Sequence, residues 1–296
     1  MGVLFRIKRT TKEIICITQA NRIILNYPEH KSQKNMVNLH YYHADWKDGI
    51  ECNLGDYLSL VIVKWLCEKN GINMDCVVSK TKHLYAIGSI LQMGYQNATV
   101  WGTGFAFELN PLRQVINKRR MLDIRSVRGP KTRNSLMKMG FECPKVFGDP
   151  AVLMPFIYSP QRASALHTDF LVIPHFSMED SARKRYGDEH VLSMNTKDYK
   201  SVIDRICSTD KVISSSLHGI ILAEAYGVPA IFYQDRDSRF NYKYFDWYES
   251  TGRNRHRHVQ TIEHGINESS DILDSNMLQL MQNQLMDTFP KDLWEK

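Results

Sequence analysis

With 296 residues, 43% of them hydrophobic and 24% charged, the chain is long and apolar enough for two folded domains, and its composition excludes a disordered polymer. The net charge is only +6, and seven Lys/Arg against two Glu in residues 1–34 account for +5 of it, leaving no basic surplus for a nucleic-acid-reading face. No stretch approaches the ~20 apolar residues of a membrane span, and no apolar core with a small-residue cleavage site opens the chain, so an unexported, cytoplasmic protein is expected.

The basic segment 1–34 reads in two ways: as a solvated edge strand and turn, or as a surface that touches the anionic inner face of the cytoplasmic membrane. VNLHYYH (37–43) then predicts a strand. The loop ending at Asn53-Leu-Gly-Asp56 leads into the helical stretch YLSLVIVKWLCEKNG, with Gly71 as its C-terminal cap. CVVS (76–79), LYAIG (84–88) and ATVWGTG (98–104) follow as strand candidates. DIRSVRG (123–129), a helix from Pro130 to Met139 closed by Gly140, and KVFGDPAVL (145–153) complete the first half. The polar connector YSPQRASALHTD after Pro155 marks a boundary between domains spanning 1–156 and 168–296. The alternation resumes with FLVIPHF (170–176), the helix DYKSVIDRICST, the strand KVISSS (211–216), a helix from Leu217 to Tyr226 and the strand PAIFY (229–233). This order predicts an α/β fold of two Rossmann-like, doubly wound domains facing a cleft, with ligands at the carboxyl ends of the strands.

The segment VISSSLHGIILAEAYGVPAIFY (212–233) concentrates the chemistry. Its strand ends in Ser214, Ser215 and Ser216, and Leu217, His218 and Gly219 open the next helix. A helix N-terminus offers free N–H groups and a favourable dipole to an anion. His218, in that first turn, is placed to take a proton from a hydroxyl and return it, or else it is a packed residue behind a serine N-cap. Glu224 lies six positions on, on another face, and is not a partner for it. Arg128, before the helix that starts at Pro130, is placed to fork onto an anionic group, or to form a surface ion pair. Asn53 and Asp56 suit hydrogen bonds to hydroxyls, with Asp56 equally suited to cap a helix. Gly102 and Gly104 around Thr103 permit close backbone approach to a ligand, though a tight turn explains them as well. His175 after the strand reads either as a residue facing the cleft or as a structural one, Asp149 in GDPA reads as a turn residue, and NYKYFDWYES (241–250) offers aromatic faces for a sugar or for packing. Six scattered cysteines lack the spacing of a zinc or dithiol site and read as buried thiols in a reducing compartment, and no His/Asp/Glu cluster predicts a metal.

NLGDYLS, TVWGTGF, SVRGPKTRNSLMKMG, FGDPAVLMP, VIPHF, SSSLHGIILAEAYGVPAIFY and YKYFDWYESTGR, in this order and spacing, resemble the polysaccharide pyruvyl transferase family over roughly residues 37–252. The resemblance implies a GT-B-like arrangement, phosphoenolpyruvate as donor with no further cofactor, and a sugar or lipid-linked oligosaccharide as acceptor. It implies that a pyruvate ketal is made for an exopolysaccharide, capsule or other surface glycan. It also implies that Arg128 lies near the donor and that His218 is catalytic. Many relatives carry Arg directly before Leu-His where this chain has Ser216, so Ser215, Ser216, Arg236, Arg239 or Lys243 would hold the donor's second negative group. On the acceptor side stand Asn53, Asp56, Gly102, Thr103, Gly104 and His175. A glycosyltransferase using a nucleotide sugar would share the fold and the anion site but needs an acidic residue for the ribose, and none is placed for it. A non-catalytic glycan-binding relative draws support from Ser216 alone.

Overall fold

A computed structural model describes residues 32–41, 52–92, 96–118, 120–160, 167–234, 241–270 and 272–295. Residues 1–31 of the basic segment lie outside them, as do Arg236 and Arg239. Among the described residues two four-stranded sheets, parallel throughout, carry the fold. The first contains β1 (Val37–His40), β2 (Lys82–Tyr85), β3 (Ala98–Trp101) and β4 (Leu122–Ser126) in that spatial order. The second contains β5 (Leu171–Ile173), β6 (Val212–Ser214), β7 (Ala230–Tyr233) and β8 (His258–Val259), also in chain order. Parallel neighbours need a crossover, which among the described residues a helix provides except between β2 and β3; the described helices are α1 (Leu54–Lys69), α2 (Pro111–Asn117), α3 (Pro130–Lys138), α4 (Glu179–Tyr186), α5 (Tyr199–Cys207), α6 (Leu217–Ala225), α7 (Asn241–Ser250), α8 (Ile262–Asn267) and α9 (Ser275–Asp287). Parallel α/β layers are therefore present as expected. The order of each sheet is monotonic, so among the described residues neither shows the reversal that marks a doubly wound sheet.

Local chemistry explains the element ends. Helix α1 begins at Leu54, earlier than the periodicity predicts, because the Asn53 side chain accepts from the Gly55 N–H. Asp56 is thus not its cap; it lies inside the first turn and is buried. Leu54, Leu58, Ile62 and Leu66 form the buried stripe, and Gly71 at φ +69° ends the helix as expected. CVVS (76–79) is not a strand: Val77 is 66% exposed, and the Val78 N–H goes to Asn35 O, so this run only delivers the chain to β2. Its β-branched pair misled because one of the two valines has no layer to face. KVFGDPAVL contributes one bridge, Val127 to Phe147, before Asp149 caps a 3-10 turn, Pro150–Phe156, by accepting from the Ala151 N–H.

Helix α6 is buried at all nine positions. Its surroundings give the reason, since it packs on β6 and β7 on one side and on the Pro150–Phe156 turn and α1 on the other. One continuous hydrophobic core results, joining Leu54, Trp101 and Leu153 to Ile173, Ile220 and Trp247. The chain's last part closes over the first sheet: Trp101 Nε1 donates to Leu285 O at 3.0 Å and Gln282 Nε2 to Val152 O at 2.8 Å. A final 3-10 turn, Lys291–Trp294, receives Lys82 Nζ on the carbonyls of Asp292 and Leu293, while Trp294 Nε1 donates to Met74 O.

Candidate functional site

The carboxyl ends of β6 and β2 and the start of α1 meet around His218. Of the three serines before it, Ser214 braces the turn, its Oγ donating to Ser216 O and accepting from the Ser216 N–H, both at 2.9 Å. Ser216 is the N-cap of α6 and accepts from the Gly219 N–H. Ser215 is held by Tyr244 Oη, which donates to its carbonyl at 2.5 Å, while its own hydroxyl is buried without a partner. Leu217 and Gly219 are buried in the first turn, Gly219 closed in by Ser214 Oγ and Ile173.

The His218 imidazole lies flat on Gly55, where any Cβ would overlap the ring. Its Nε2 is 3.6 Å from Asp149 Oδ2, and neither buried atom has a hydrogen-bond partner. The histidine thus has a carboxylate partner that the spacing within its own helix did not reveal. Asp149 is both cap and partner, because capping uses Oδ1 and leaves Oδ2 for the ring. Beside them, Asp56 is pushed up to about 6, first by burial and further by the Asp149 charge, against the opposing pull of His218 and Lys243. Asp56 Oδ1 rests against Gly88, which adopts φ +97° and leaves no room for a side chain. Two carboxyls, an imidazole and an ammonium therefore share one junction between the sheets.

Arg128 stands behind this junction. It is fully buried, with Nη1 donating to Ser89 Oγ at 2.9 Å, Nη2 to Phe105 O at 2.5 Å, and both Nε and Nη2 engaging Asp246 Oδ2. Asp246 also accepts from the N–H and hydroxyl of Thr132 in the first turn of α3. The ion pair foreseen for Arg128 at the surface is a buried one, and through Ser89 the guanidinium braces the residue next to Gly88, on which Asp56 rests. Gly104 lies on the guanidinium, and Gly102, at φ +87°, lies on Pro150. Thr103 is wholly buried and donates to Gly88 O at 2.7 Å. These three residues build the floor under the Gly88 turn. His175 caps a short 3-10 turn, Phe176–Met178, and its ring contacts Phe176 at the carboxyl end of β5. Lys243, on α7, approaches the face of Tyr244 at 4.9 Å. Lys197 was not anticipated; it lies 5.8 Å from the Tyr57 ring and acts electrostatically on Cys52, which Asp56 also influences. Among the described residues no His/Cys/Asp/Glu group is arranged to hold a metal ion, and no helix is long and apolar enough to cross a membrane.

A parallel α/β protein with an acid–base cluster where its two sheets meet is the class that these features define. The family model for polysaccharide pyruvyl transferase matches residues 53–234, more than half of the chain and every residue of the cluster except Lys243, and the chain belongs to that family. An uncharacterized protein, L143 of Acanthamoeba polyphaga mimivirus, is 25% identical over 209 residues, 67% of this chain and 68% of the relative. The succinoglycan biosynthesis protein ExoV of Rhizobium meliloti is 26% identical over 182 residues, covering 57% of this chain and 54% of its own length, so the alignment spans about half of that protein. No solved structure matches the chain significantly.

Proposed function

We propose that the protein transfers the pyruvyl group of phosphoenolpyruvate to two hydroxyls of one sugar, forming a pyruvate ketal on a polysaccharide or its lipid-linked precursor. Family membership supports transfer to a polysaccharide. The observation that carries the chemistry is the cluster of Asp56, Asp149 and His218 with Lys243 beside it. Asp56, at about 6, keeps a protonated fraction near neutral pH and is the acid for the donor's methylene carbon. Protonation makes the adjacent carbon cationic, and the first sugar hydroxyl attacks it while giving its proton to His218. Asp149, at 3.6 Å, stabilises the imidazolium. The bond from that carbon to the phosphate oxygen breaks, and His218 passes its proton to the departing phosphate. The second hydroxyl then closes the ring on the same carbon, and its proton restores Asp56. One hydroxyl proton ends in the new methyl group and the other on phosphate.

Phosphoenolpyruvate carries a carboxylate and a phosphate and needs fixed positive charge and N–H donors. Lys243, the unpartnered Ser215 hydroxyl and the N-terminus of α6 supply them here, in place of the arginine that many relatives carry at position 216. Arg128 enters as a positioning residue, since its donors are spent on Ser89, Phe105 and Asp246. His218→Ala should abolish ketal formation, read by mass analysis of a sugar acceptor incubated with phosphoenolpyruvate, while circular dichroism stays unchanged. Turnover retained in that variant would take His218 out of the mechanism.

A further inference from the structure

The edge of the second sheet remote from His218 carries a small, open recess lined by Tyr248, Arg253, Arg255, Arg257, Ser269 and Ser270. Its location follows from the parallel strands. His218 comes after the carboxyl end of β6, whereas Ala230, which also borders the recess, opens β7, and Arg253 to Arg257 lead into β8. The arginines occupy every second position of this segment. His256, between two of them, turns the other way, stacking on Phe245 at 4.1 Å and approaching Glu249 Oε1 at 3.1 Å.

Among the described residues the charges in the recess do not cancel. Glu224 holds Arg253 through both carboxylate oxygens, at 2.5 and 2.9 Å, and Glu268 holds Arg257. Arg255 is exposed and has no carboxylate partner among the described residues, which leaves one positive charge over. The Ser270 hydroxyl is buried without a hydrogen-bond partner, a condition folded proteins rarely leave without cause, and Ser269 Oγ accepts from Arg257 Nη2 at 3.2 Å.

We propose that this recess is a phosphoryl-oxyanion site, with Arg255 as its charged ligand and Ser270 as its hydroxyl donor. A planar guanidinium with adjacent hydroxyls matches the several acceptor oxygens of a phosphate. The enclosed space holds about one water, too little for a whole organic ligand, so the anion sits at the mouth against the exposed Arg255, which suits free phosphate or diphosphate, or the phosphate end of a larger molecule whose remainder stays outside. Arg253 and Arg257, fixed by their glutamates, form rigid walls. Glu224, which holds Arg253, also accepts from Trp247 Nε1, and Trp247 follows Asp246, the partner of Arg128, on α7.

Calorimetric titration of the full chain with inorganic pyrophosphate, at constant ionic strength and with chloride as control, tests the assignment. Saturable binding is expected in the wild type and in His218→Ala. Arg255→Ala should weaken it about ten-fold or more, as loss of a charge-assisted hydrogen bond does, and Ser270→Ala less severely. Absence of saturable binding, wild-type affinity in Arg255→Ala, or loss in His218→Ala alone would overturn the proposal, the last by moving the anion into the catalytic junction. Sedimentation with vesicles of phosphatidylcholine, with and without phosphatidic acid, separates the two sources. Arg255-dependent partitioning to the acidic vesicles points to a lipid headgroup, and no partitioning alongside retained pyrophosphate binding points to a free anion.

Discussion

Asp56 carries a cost for its place beside His218. Its pKa rises from 3.8 to about 6, chiefly because burial penalises the charged form. The folded state therefore binds the proton more tightly than the unfolded chain, so the stability linked to this group is fully present below pH 3.8 and is lost as pH rises towards 6. At about 1.4 kcal/mol per pH unit, the gap corresponds to about 3 kcal/mol lost above pH 6. Asp56→Asn removes the titration. In urea unfolding, the variant should be more stable than the wild type at pH 7.5 by about 1–3 kcal/mol, with the difference vanishing near pH 4. Its ketal-forming kcat should fall by about a hundred-fold or more, the usual contribution of a general acid. Equal stability of the two proteins at pH 7.5 would show that Asp56 is not held in this strained ionic state. The same carboxyl cannot then be the proton source.

The buried pair of Arg128 and Asp246 lies where α3 packs on α7, beside the more exposed pair of Lys131 and Glu249, and it decides how Arg128 acts. Arg128, Asp246 and Thr132 form a closed buried network, with Asp246 accepting at 2.6 Å from the Thr132 hydroxyl and at 3.0 Å from its N–H. Removing one partner leaves a buried charge uncompensated, which costs about 3–5 kcal/mol. Arg128→Ala should therefore lower Tm strongly, and Asp246→Ala should do the same although it lies on another element. A direct donor ligand would behave differently, raising KM for phosphoenolpyruvate with little effect on Tm. The contrast shows what the amino-acid order conveys and what it hides. The strands from β3 to β7 and helices α3, α5 and α6 follow from hydrophobic alternation, whereas the short helix α2 and the highly charged α4 carry too few apolar residues to announce themselves; Ser216 as cap and His218 in the first turn follow from local hydrogen-bonding chemistry. Pairings across the fold leave no local trace: Asp246 lies 118 positions from Arg128, and Asp149 looks complete as a turn residue because its second oxygen meets His218 only after the two sheets pack. Helix α6 shows the same limit in packing, since a helix buried on every side carries no polar stripe to betray which face meets which neighbour.

At the scale of the whole molecule, the last helix ties the first sheet to the end of the chain. Met281 and Leu285 of α9 lie against Gly148, where any Cβ would meet them, and they join the core cluster that runs through α1 and α6. Trp101, fully buried in β3, spends its indole N–H on Leu285 O and packs edge-on against Phe289 at 5.2 Å. Without residues 275–295 that indole would lose its acceptor and its cover, and Gly148, directly before Asp149, would lose the surface that holds it. Each sheet keeps a cluster of its own on its other face, Val100 and Ile124 in the first and Val172, Ile213 and Ile231 in the second, but the larger core couples the two, so the full chain should unfold in one calorimetric transition whose van't Hoff and calorimetric enthalpies agree. A chain ended after Asp274 should show no cooperative transition and no pyruvyl transfer, although every residue of the proposed chemistry is still present. A truncated chain that unfolds cooperatively at an unchanged Tm would mean that α9 is only an appendage, and that the Asp149–His218 geometry is set within residues 53–234 alone.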